Sequence, residues 1–307
     1  MNMNKKIILI FIIIIASLLV CCRSEKQSDE YFQYRDQRWL YELTDGNYND
    51  IEDFKNSGKG IRIAIIDIGF DLCHPDLSQA DITLYEIGQN PIDPSLLNHG
   101  TGILGVLCAF PHDNSGVIGL VTGAKILAIS LGVDNTNETN QDKTNTAIIN
   151  AINKAVSWQA QIISMSFMFN TDSEEIKEAI DIAYESGCVI IAADGGGSER
   201  KCFPASYDNV ISVGTLLNGK NILGCYDCVL LPADNVVSIC ATDMPSQYNS
   251  FTGASMAAPM LTGMVAIGLQ NFPDISNQTF LDVCKLLYDK TGTTLDVFLN
   301  LCSEYNE

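Results

Sequence analysis

The chain has 307 residues, of which 47% are hydrophobic, so it is long and apolar enough to bury one large α/β core. Its formal net charge of −19 at pH 7 repels phosphate backbones and removes the counterion release that drives most nucleic-acid binding. Nucleic acid is therefore excluded as an expected partner, and most of the acidic side chains are interpreted as a solvated surface.

The N-terminus carries the pattern of an export signal. Lys5 and Lys6 precede a charge-free, strongly apolar run over residues 7–20. This run is shorter than the roughly 18–20 residues of a membrane-spanning helix and suits the apolar part of a signal peptide. We therefore predict a signal peptide over residues 1–22 and a mature chain outside the cytoplasm.

The end of this run resembles a bacterial lipoprotein box. Residues 18–22 read LLVCC, in which Cys21 or Cys22 would become the lipidated first residue and tether the chain to a membrane. Simple secretion and an uncleaved anchor stay open as alternatives. Residues 23–56 are polar and irregular, and we expect an N-terminal arm that packs on a single domain over residues 57–307.

The eleven cysteines show no evenly spaced disulfide framework. Cys225 and Cys228 form a lone CxxC pair without a second one, which does not support a zinc ribbon. A disulfide and two buried thiols are the two alternatives for this pair.

From residue 61 onwards, short apolar runs alternate with helical patterns. Strands are predicted over residues 61–66, 125–131, 161–165, 188–193 and 210–213, all nearly free of polar side chains, as in strands covered on both faces. Between them, a helix is predicted around residues 148–158, and another follows a capping box formed by Thr171 and Glu174 and ends before Gly187. The pattern predicts an α/β fold with a doubly wound, mainly parallel sheet and helices on both faces.

Three segments contain residue types that together can transfer acyl groups. Asp67 follows an apolar strand, His99 opens a helix, and Ser255 begins a long apolar helix. A serine hydroxyl is a weak nucleophile until an imidazole takes its proton, and a carboxylate must orient that imidazole. Each residue alone has a simpler interpretation, such as a turn former or a helix N-cap, but the order Asp, His, Ser supports a catalytic set.

These segments resemble blocks of the subtilisin (S8) peptidase family, in the family's order, over about residues 37–301. The blocks read DIGFDLCHPDL from residue 67, HGTGILGVLCA from residue 99 and SFTGASMAAPMLTGMVA from residue 250, and QRWL at residues 37–40 is similar to kexin-like members. The resemblance implies a serine endopeptidase that acts on polypeptides as a monomer and needs no cofactor for its chemistry. Ser255 would attack the carbonyl, His99 would shuttle the proton and Asp67 would orient His99.

The resemblance also bears on the two remaining histidines and on calcium. His74 belongs to a His-Pro-Asp turn that the family shares for structural reasons, and His112 lies in a loop. Relatives hold calcium in this region, through a carboxylate that matches Asp76 and a loop that matches residues 110–116. A structural calcium ion is therefore an open expectation, with only part of the ligand set traceable.

The chain departs from the family pattern at several positions. Gly102 replaces a structural histidine. The substrate-binding strand, Ser-Leu-Gly-Gly in relatives, reads Ser166-Phe167-Met168-Phe169 here, and the large side chains in place of the two glycines should reshape the primary specificity pocket. At the turn that holds the oxyanion-binding Asn in relatives, the candidates are Asp194 and Gly196.

These departures leave a second hypothesis open, a weak or inactive pseudopeptidase that binds peptides. The usual folding propeptide has no room between Cys22 and Asp67, so we expect the domain to fold unaided or with another chaperone.

Overall fold

The structure, a computed structural model, describes residues 37–46, 54–88, 96–112, 116–132, 141–195, 201–217, 220–221, 227–244 and 246–306. The predicted signal peptide, Cys21, Cys22 and most of the N-terminal arm lie outside the described residues. Within the described ranges, no helix is both long and apolar enough to cross a bilayer.

An eight-stranded sheet forms the centre of the molecule, in the order β2-β3-β1-β4-β5-β6-β7, with β8 also paired to β6. All pairings are parallel except that of β6 with β7. The strands are β1 (Arg62–Asp67), β2 (Asp81–Glu86), β3 (Lys125–Ser130), β4 (Ile162–Met165), β5 (Val189–Ala193), β6 (Ile211–Leu217), β7 (Lys220–Asn221) and β8 (Val229–Leu231). The predicted mainly parallel sheet is confirmed, and β9 (Val236–Ile239) and β10 (Tyr248–Phe251) form a separate antiparallel ribbon.

Seven α-helices lie in the described part of the chain. They are α1 (Arg38–Leu43), α2 (Leu97–Cys108), α3 (Gln141–Ser157), α4 (Glu174–Glu185), α5 (Ala254–Asn271), α6 (Asn277–Leu287) and α7 (Leu295–Tyr305). Gly187 follows α4 at φ 91°, the left-handed conformation predicted for it. The predicted capping box is wrong, because Ser173 is the N-cap of α4 and its hydroxyl accepts the N–H of Ile176.

Alternating side chains of each strand pack on opposite layers of helices. In β1, Ile63 and Ile65 join the larger core, which contains α2 and α5, whereas Ala64 and Ile66 join the core that contains α3 and α4. Burial on both faces explains why these strands are nearly continuous apolar runs in the sequence. The fold is therefore doubly wound, as predicted.

The strand order reverses at β1. The chain passes from β1 through β2 and β3 on one side, and then crosses to β4 on the other side of β1. Loops that leave the carboxyl ends of β1 and β4 therefore diverge, and such a point is where open α/β sheets form their sites. Asp67 is the last residue of β1.

Candidate active site

Asp67 ends β1 as a buried carboxylate. Its side chain is 2% exposed, and one carboxylate oxygen accepts the backbone N–H of Ile68 at 2.8 Å. A buried carboxylate is stable only when it is hydrogen-bonded or paired. The side chain that pairs with the Asp67 carboxylate is His99.

His99 is the third residue of α2 and points its Nδ1 atom at Asp67. Nδ1 lies 3.1 Å from Oδ1 and 3.0 Å from Oδ2 of Asp67. An ionised carboxylate only accepts hydrogen bonds, so this contact assigns the proton to Nδ1 and leaves Nε2 as the basic atom of the neutral ring. The side chain of His99 remains 24% exposed, which leaves part of the ring open to a substrate.

The environment of His99 favours its protonated form. Burial lowers the pKa of His99, but the negative charge of Asp67 and the hydrogen bond to it outweigh burial and hold this pKa above its ordinary value of 6.5. A neighbouring carboxylate is therefore arranged to stabilise the imidazolium ion that forms when His99 accepts a proton.

Small residues allow α2 to approach the loop that follows β1. A Cβ atom on Gly100 would collide with the carbonyl oxygen of Gly69, so only glycine permits this approach. The loop is tied to the helix by Thr101, whose hydroxyl accepts the N–H of Asp71 at 2.9 Å. These contacts fix the helix that carries His99.

Gly102 is enclosed by an aromatic ring. A Cβ atom at this position would lie 2.8 Å from Cζ of Phe251. Phe251 therefore fills the space that a histidine side chain at residue 102 would need.

Ser255 is the second residue of α5. Gly253 precedes the helix at φ 142°, a conformation that residues with a side chain rarely adopt. Within the described ranges, no acceptor takes the backbone N–H of Ser255, as is usual in the first turn of a helix. This N–H and the positive end of the helix dipole are available to a developing negative charge.

The structure joins two of the three predicted catalytic side chains by a direct hydrogen bond. Asp67 and His99 meet, and α5 with Ser255 packs against α2 with His99. Among the described residues, the hydrogen bonds of His99 are those to Asp67, and the Ser255 hydroxyl has none. Catalytic hydrogen bonds are often long before substrate binds and tighten in the complex.

The predicted substrate-binding strand continues directly from β4. Ser166 is 2% exposed, and its hydroxyl donates to the carbonyl oxygen of Ser255 at 3.0 Å. Phe167 and Met168 are half-buried. The strand is thus linked to the helix of the predicted nucleophile.

Sequence reasoning missed Cys202, which connects this strand to the candidate oxyanion turn. Its thiol lies 3.5 Å from the sulfur of Met168. Burial, the charge of Asp194 and a hydrogen bond to Asp194 raise the pKa of Cys202 to about 11, so it is a neutral thiol at physiological pH. Nothing in the local sequence around Cys202 marks it as part of a site.

The structure describes only one of the two oxyanion candidates, Asp194. Asp194 follows β5, is half-buried and accepts the hydroxyl of Ser212 at 3.4 Å. Gly196 lies outside the described residues.

Asp76, the carboxylate expected to bind calcium, is held by hydrogen-bond donors of the protein. Its carboxylate accepts the backbone N–H groups of His112 and Val117, each at 3.2 Å, and the hydroxyl of Tyr248 at 3.1 Å. Calcium needs six to eight oxygen ligands, and the described ranges contain no group of three or more His, Cys, Asp or Glu that could hold a metal. Residues 113–115 of the loop expected to bind calcium lie outside the described residues, and calcium binding stays a prediction.

His74 packs beside Asp76 with both ring nitrogens engaged. Nδ1 accepts the backbone N–H of Asp76 at 3.1 Å, and Nε2 lies 3.0 Å from the carbonyl oxygen of Gln247. The structural interpretation of His74 agrees with this geometry.

The CxxC pair of Cys225 and Cys228 has two alternative states, a disulfide and two buried thiols. Cys228 is disulfide-bonded. Cys228 is therefore not a free thiol, and a disulfide within the CxxC pair stays a prediction, because Cys225 lies outside the described residues.

Comparisons with known proteins agree on one family. A model of the Subtilase family matches residues 58–296. The thermophilic serine proteinase of Bacillus sp. strain AK1 is 32% identical over 222 residues, which are 70% of this chain and 53% of that protein. Thermitase of Thermoactinomyces vulgaris is 31% identical over 214 residues, 68% of this chain and 75% of thermitase. The chain thus spans about half the length of the first relative and three quarters of the second.

Solved structures show the same fold. Fervidolysin from Fervidobacterium pennivorans, described as a keratinolytic enzyme related to subtilisin, superposes with a TM-score of 0.72 at 23% identity, over 90% of this chain and 47% of that one. The protease domain of PatA superposes with a TM-score of 0.68 at 18% identity, over 81% of this chain and 98% of that one.

Proposed function

Because this chain belongs to the subtilase family, we propose that it is a serine endopeptidase that hydrolyses peptide bonds with Ser255, His99 and Asp67. The observation that carries the proposal is the hydrogen bond from Nδ1 of His99 to the buried carboxylate of Asp67, within the segment that matches the family. This contact leaves Nε2 of His99 free to act as a base. The relatives favour an enzyme over the peptide-binding alternative.

The reaction follows from these positions. The Oγ atom of Ser255 forms a bond to the peptide carbonyl carbon while Nε2 of His99 takes the hydroxyl proton. The negative charge on the former carbonyl oxygen is stabilised by the N–H of Ser255 at the start of α5. His99 then gives its proton to the departing amine, and a water molecule, activated by the same ring, hydrolyses the acyl-serine ester.

Asp67 has a positioning and electrostatic task. It holds the ring of His99 in the tautomer with the proton on Nδ1, and its charge stabilises the imidazolium form. Its burial keeps this charge close to His99 with little screening by water.

The oxyanion donor besides Ser255 is the least defined part of the proposal. An ionised Asp194 offers only acceptors and would repel the oxyanion, and Gly196 has no side chain to donate. Removal of one such donor costs about 10²–10³ in kcat in serine peptidases. Turnover should therefore be weak unless a different group donates to the oxyanion in place of these two residues. Asp194→Asn and Gly196→Asn distinguish the candidates, because the variant that places a donor correctly raises kcat with little change in KM.

Labelling with a fluorophosphonate probe tests the proposed function. The purified mature chain should be labelled, and Ser255→Ala should not be. Ser250→Ala is the matched control, because Ser250 is an exposed serine in β10, and it should be labelled like the wild type. A wild type that does not react, or a Ser255→Ala chain that does, would contradict the proposal.

We further propose that the mature chain works outside the cytoplasm on polypeptides, as a monomer that a lipid on Cys21 or Cys22 tethers to a membrane. The charged residues and apolar run before these cysteines support this location. Detergent phase partitioning of the wild type, and of a variant with both cysteines changed to Ser, separates tethering from secretion. Recovery of both chains in the aqueous phase would reject the lipid tether.

A further inference from the structure

A proline interrupts the hydrogen bonds of α5 one turn after Ser255. In an α-helix the carbonyl of each residue accepts the N–H of the residue four positions later. For Ser255 that residue is Pro259, which lies inside α5 and has no N–H. The helix itself therefore cannot supply the usual donor to the carbonyl oxygen of Ser255.

Ser166 supplies a donor from outside the helix. Its hydroxyl lies 3.0 Å from the carbonyl oxygen of Ser255, and the residue is 2% exposed, so water does not compete easily for this contact. Ser166 follows β4, which is held between β1 and β5 in the middle of the sheet. The contact thus connects a rigid strand to the peptide group of the nucleophile.

We propose that Ser166 is a positioning residue, whose hydroxyl replaces the hydrogen bond that Pro259 removes and thereby holds the backbone of Ser255 in its reactive position. This inference rests on the proposed function of Ser255 and adds a side-chain role to a residue expected to bind substrate. Holding the Ser255 carbonyl restricts rotation of that residue's backbone, and hence the direction of its Cα–Cβ bond. Displacement of a reacting atom by about 1 Å costs roughly 10²-fold in rate, so the contact should affect kcat more than KM.

The chain offers a matched control in β4, directly before Ser166. Ser164 lies within β4, two residues before Ser166, and its buried hydroxyl has no hydrogen-bond partner. Ser164→Ala removes the same atom from another buried serine without breaking a hydrogen bond. Ser166→Thr keeps a hydroxyl at residue 166 and serves as the conservative variant.

Pro259 allows the inference to be tested by a double-mutant cycle. Pro259→Ala restores an N–H one helical turn after Ser255, which can satisfy the carbonyl without Ser166. If Ser166 acts through this carbonyl, its removal should cost much less in the Pro259→Ala background than in the wild type.

The experiment measures kcat and KM on a peptide substrate, the rate constant of fluorophosphonate labelling and the thermal midpoint of each variant. Ser166→Ala should lower kcat and the labelling rate by about tenfold or more, with KM changed less than about threefold. Ser166→Thr should recover most of this loss, and Ser164→Ala should behave like the wild type. In the Pro259→Ala background, Ser166→Ala should cost less than about threefold.

Each contrary result overturns the inference in a recognisable way. Equal labelling rates for the wild type and Ser166→Ala, a loss confined to KM, or the same loss in both Pro259 backgrounds would each refute a positioning role. A wild type that is never labelled refutes the proposed function instead. Even then, a crystal structure of Ser166→Ala decides the inference, because an unmoved Ser255 backbone would overturn it and a displaced one would support it.

Discussion

Two buried aspartates each lie beside a histidine in this molecule, and the two pairs are built in opposite ways. In the first pair, the ring of His99 meets the side-chain carboxylate of Asp67. In the second, the ring of His74 accepts the backbone N–H of Asp76, and the carboxylate of Asp76 turns towards other donors. The residue types are the same, but the atoms in contact differ.

This difference reverses the direction in which the surroundings shift the pKa of the imidazole. The carboxylate of Asp67 outweighs burial and raises the pKa of His99, whereas burial dominates at His74 and lowers its pKa despite the nearby charge of Asp76. A ring whose Nδ1–H is held by a carboxylate keeps Nε2 free to accept a proton and return it. A ring with both nitrogens engaged by the backbone can only hold the structure together.

The largest expected contrast is between His99→Ala and His74→Ala. Removal of a triad histidine costs about 10⁶-fold in kcat in serine peptidases, so His99→Ala should be almost inactive with its fold intact. His74→Ala breaks two buried hydrogen bonds and should lower the thermal midpoint while the folded fraction keeps its kcat. Kinetics and circular dichroism on both variants would refute the comparison if His74→Ala lost turnover or His99→Ala kept it.

Substitution of the two aspartates should likewise lower kcat at Asp67 and stability at Asp76. Asp67→Asn should reduce kcat by about 10⁴-fold, because an amide no longer selects the Nδ1-protonated tautomer of His99. Asp76→Asn puts an N–H donor opposite the backbone donors of His112 and Val117, and should reduce the free energy of unfolding by about 1–3 kcal/mol with kcat preserved. Chemical denaturation and steady-state kinetics check both outcomes, and a large kcat loss in Asp76→Asn would break the comparison.

The pH dependence of activity should follow His99. Its raised pKa means that kcat/KM falls, up to tenfold per pH unit, as the pH drops below a midpoint above 6.5, because the protonated ring cannot act as a base. A pH–rate profile measures this midpoint. His74→Gln should leave it unchanged, and a midpoint below 6.5 in the wild type would contradict the assignment.

The pH dependence of stability should have opposite signs at the two histidines. The raised pKa of His99 adds stability that is complete below pH 6.5 and is lost as the pH rises through its folded pKa. The lowered pKa of His74 adds stability that is present above pH 6.5 and is lost as the pH falls from 6.5 towards its folded pKa. Thermal midpoints of the wild type, His99→Gln and His74→Gln between about pH 5 and 8 would show the two slopes.

The smallest expected effect is that of Tyr248→Phe. It removes one hydrogen bond to the carboxylate of Asp76, so the free energy of unfolding should fall by about 1–2 kcal/mol with unchanged kcat. Tyr41→Phe is the control, because Tyr41 is 65% exposed and should change neither quantity. A Tyr248→Phe chain as stable as the wild type would mean that this hydroxyl does not hold Asp76.

Much of the fold could be predicted from the sequence because the relevant signals are local. Strands covered on both faces must be apolar throughout, and this pattern alone located β1, β3, β4, β5 and the start of β6. The edge strand β2 was not predicted, since its side chains are largely exposed and carry no such pattern. The family and the residue types of the candidate triad also follow from short contiguous blocks.

Other features depended on residues that are distant in the sequence. The N-cap of α4 is Ser173 rather than Thr171, and the hydroxyl of Tyr207 binds both the N–H and the carbonyl of Ser173. No local pattern contains that contact.

The same holds for the site. The sequence by itself determined that Asp67 ends a strand and that His99 and Ser255 lie at the starts of helices, because strand and helix periodicities are local. Only the tertiary structure decided which ring atom of His99 meets Asp67, that Ser166 bonds to the carbonyl of Ser255, and that Cys202 packs between Met168 and Asp194. The physical reason is that hydrogen-bond geometry depends on side-chain atoms brought within about 3 Å by packing, which a linear pattern of residue types does not encode.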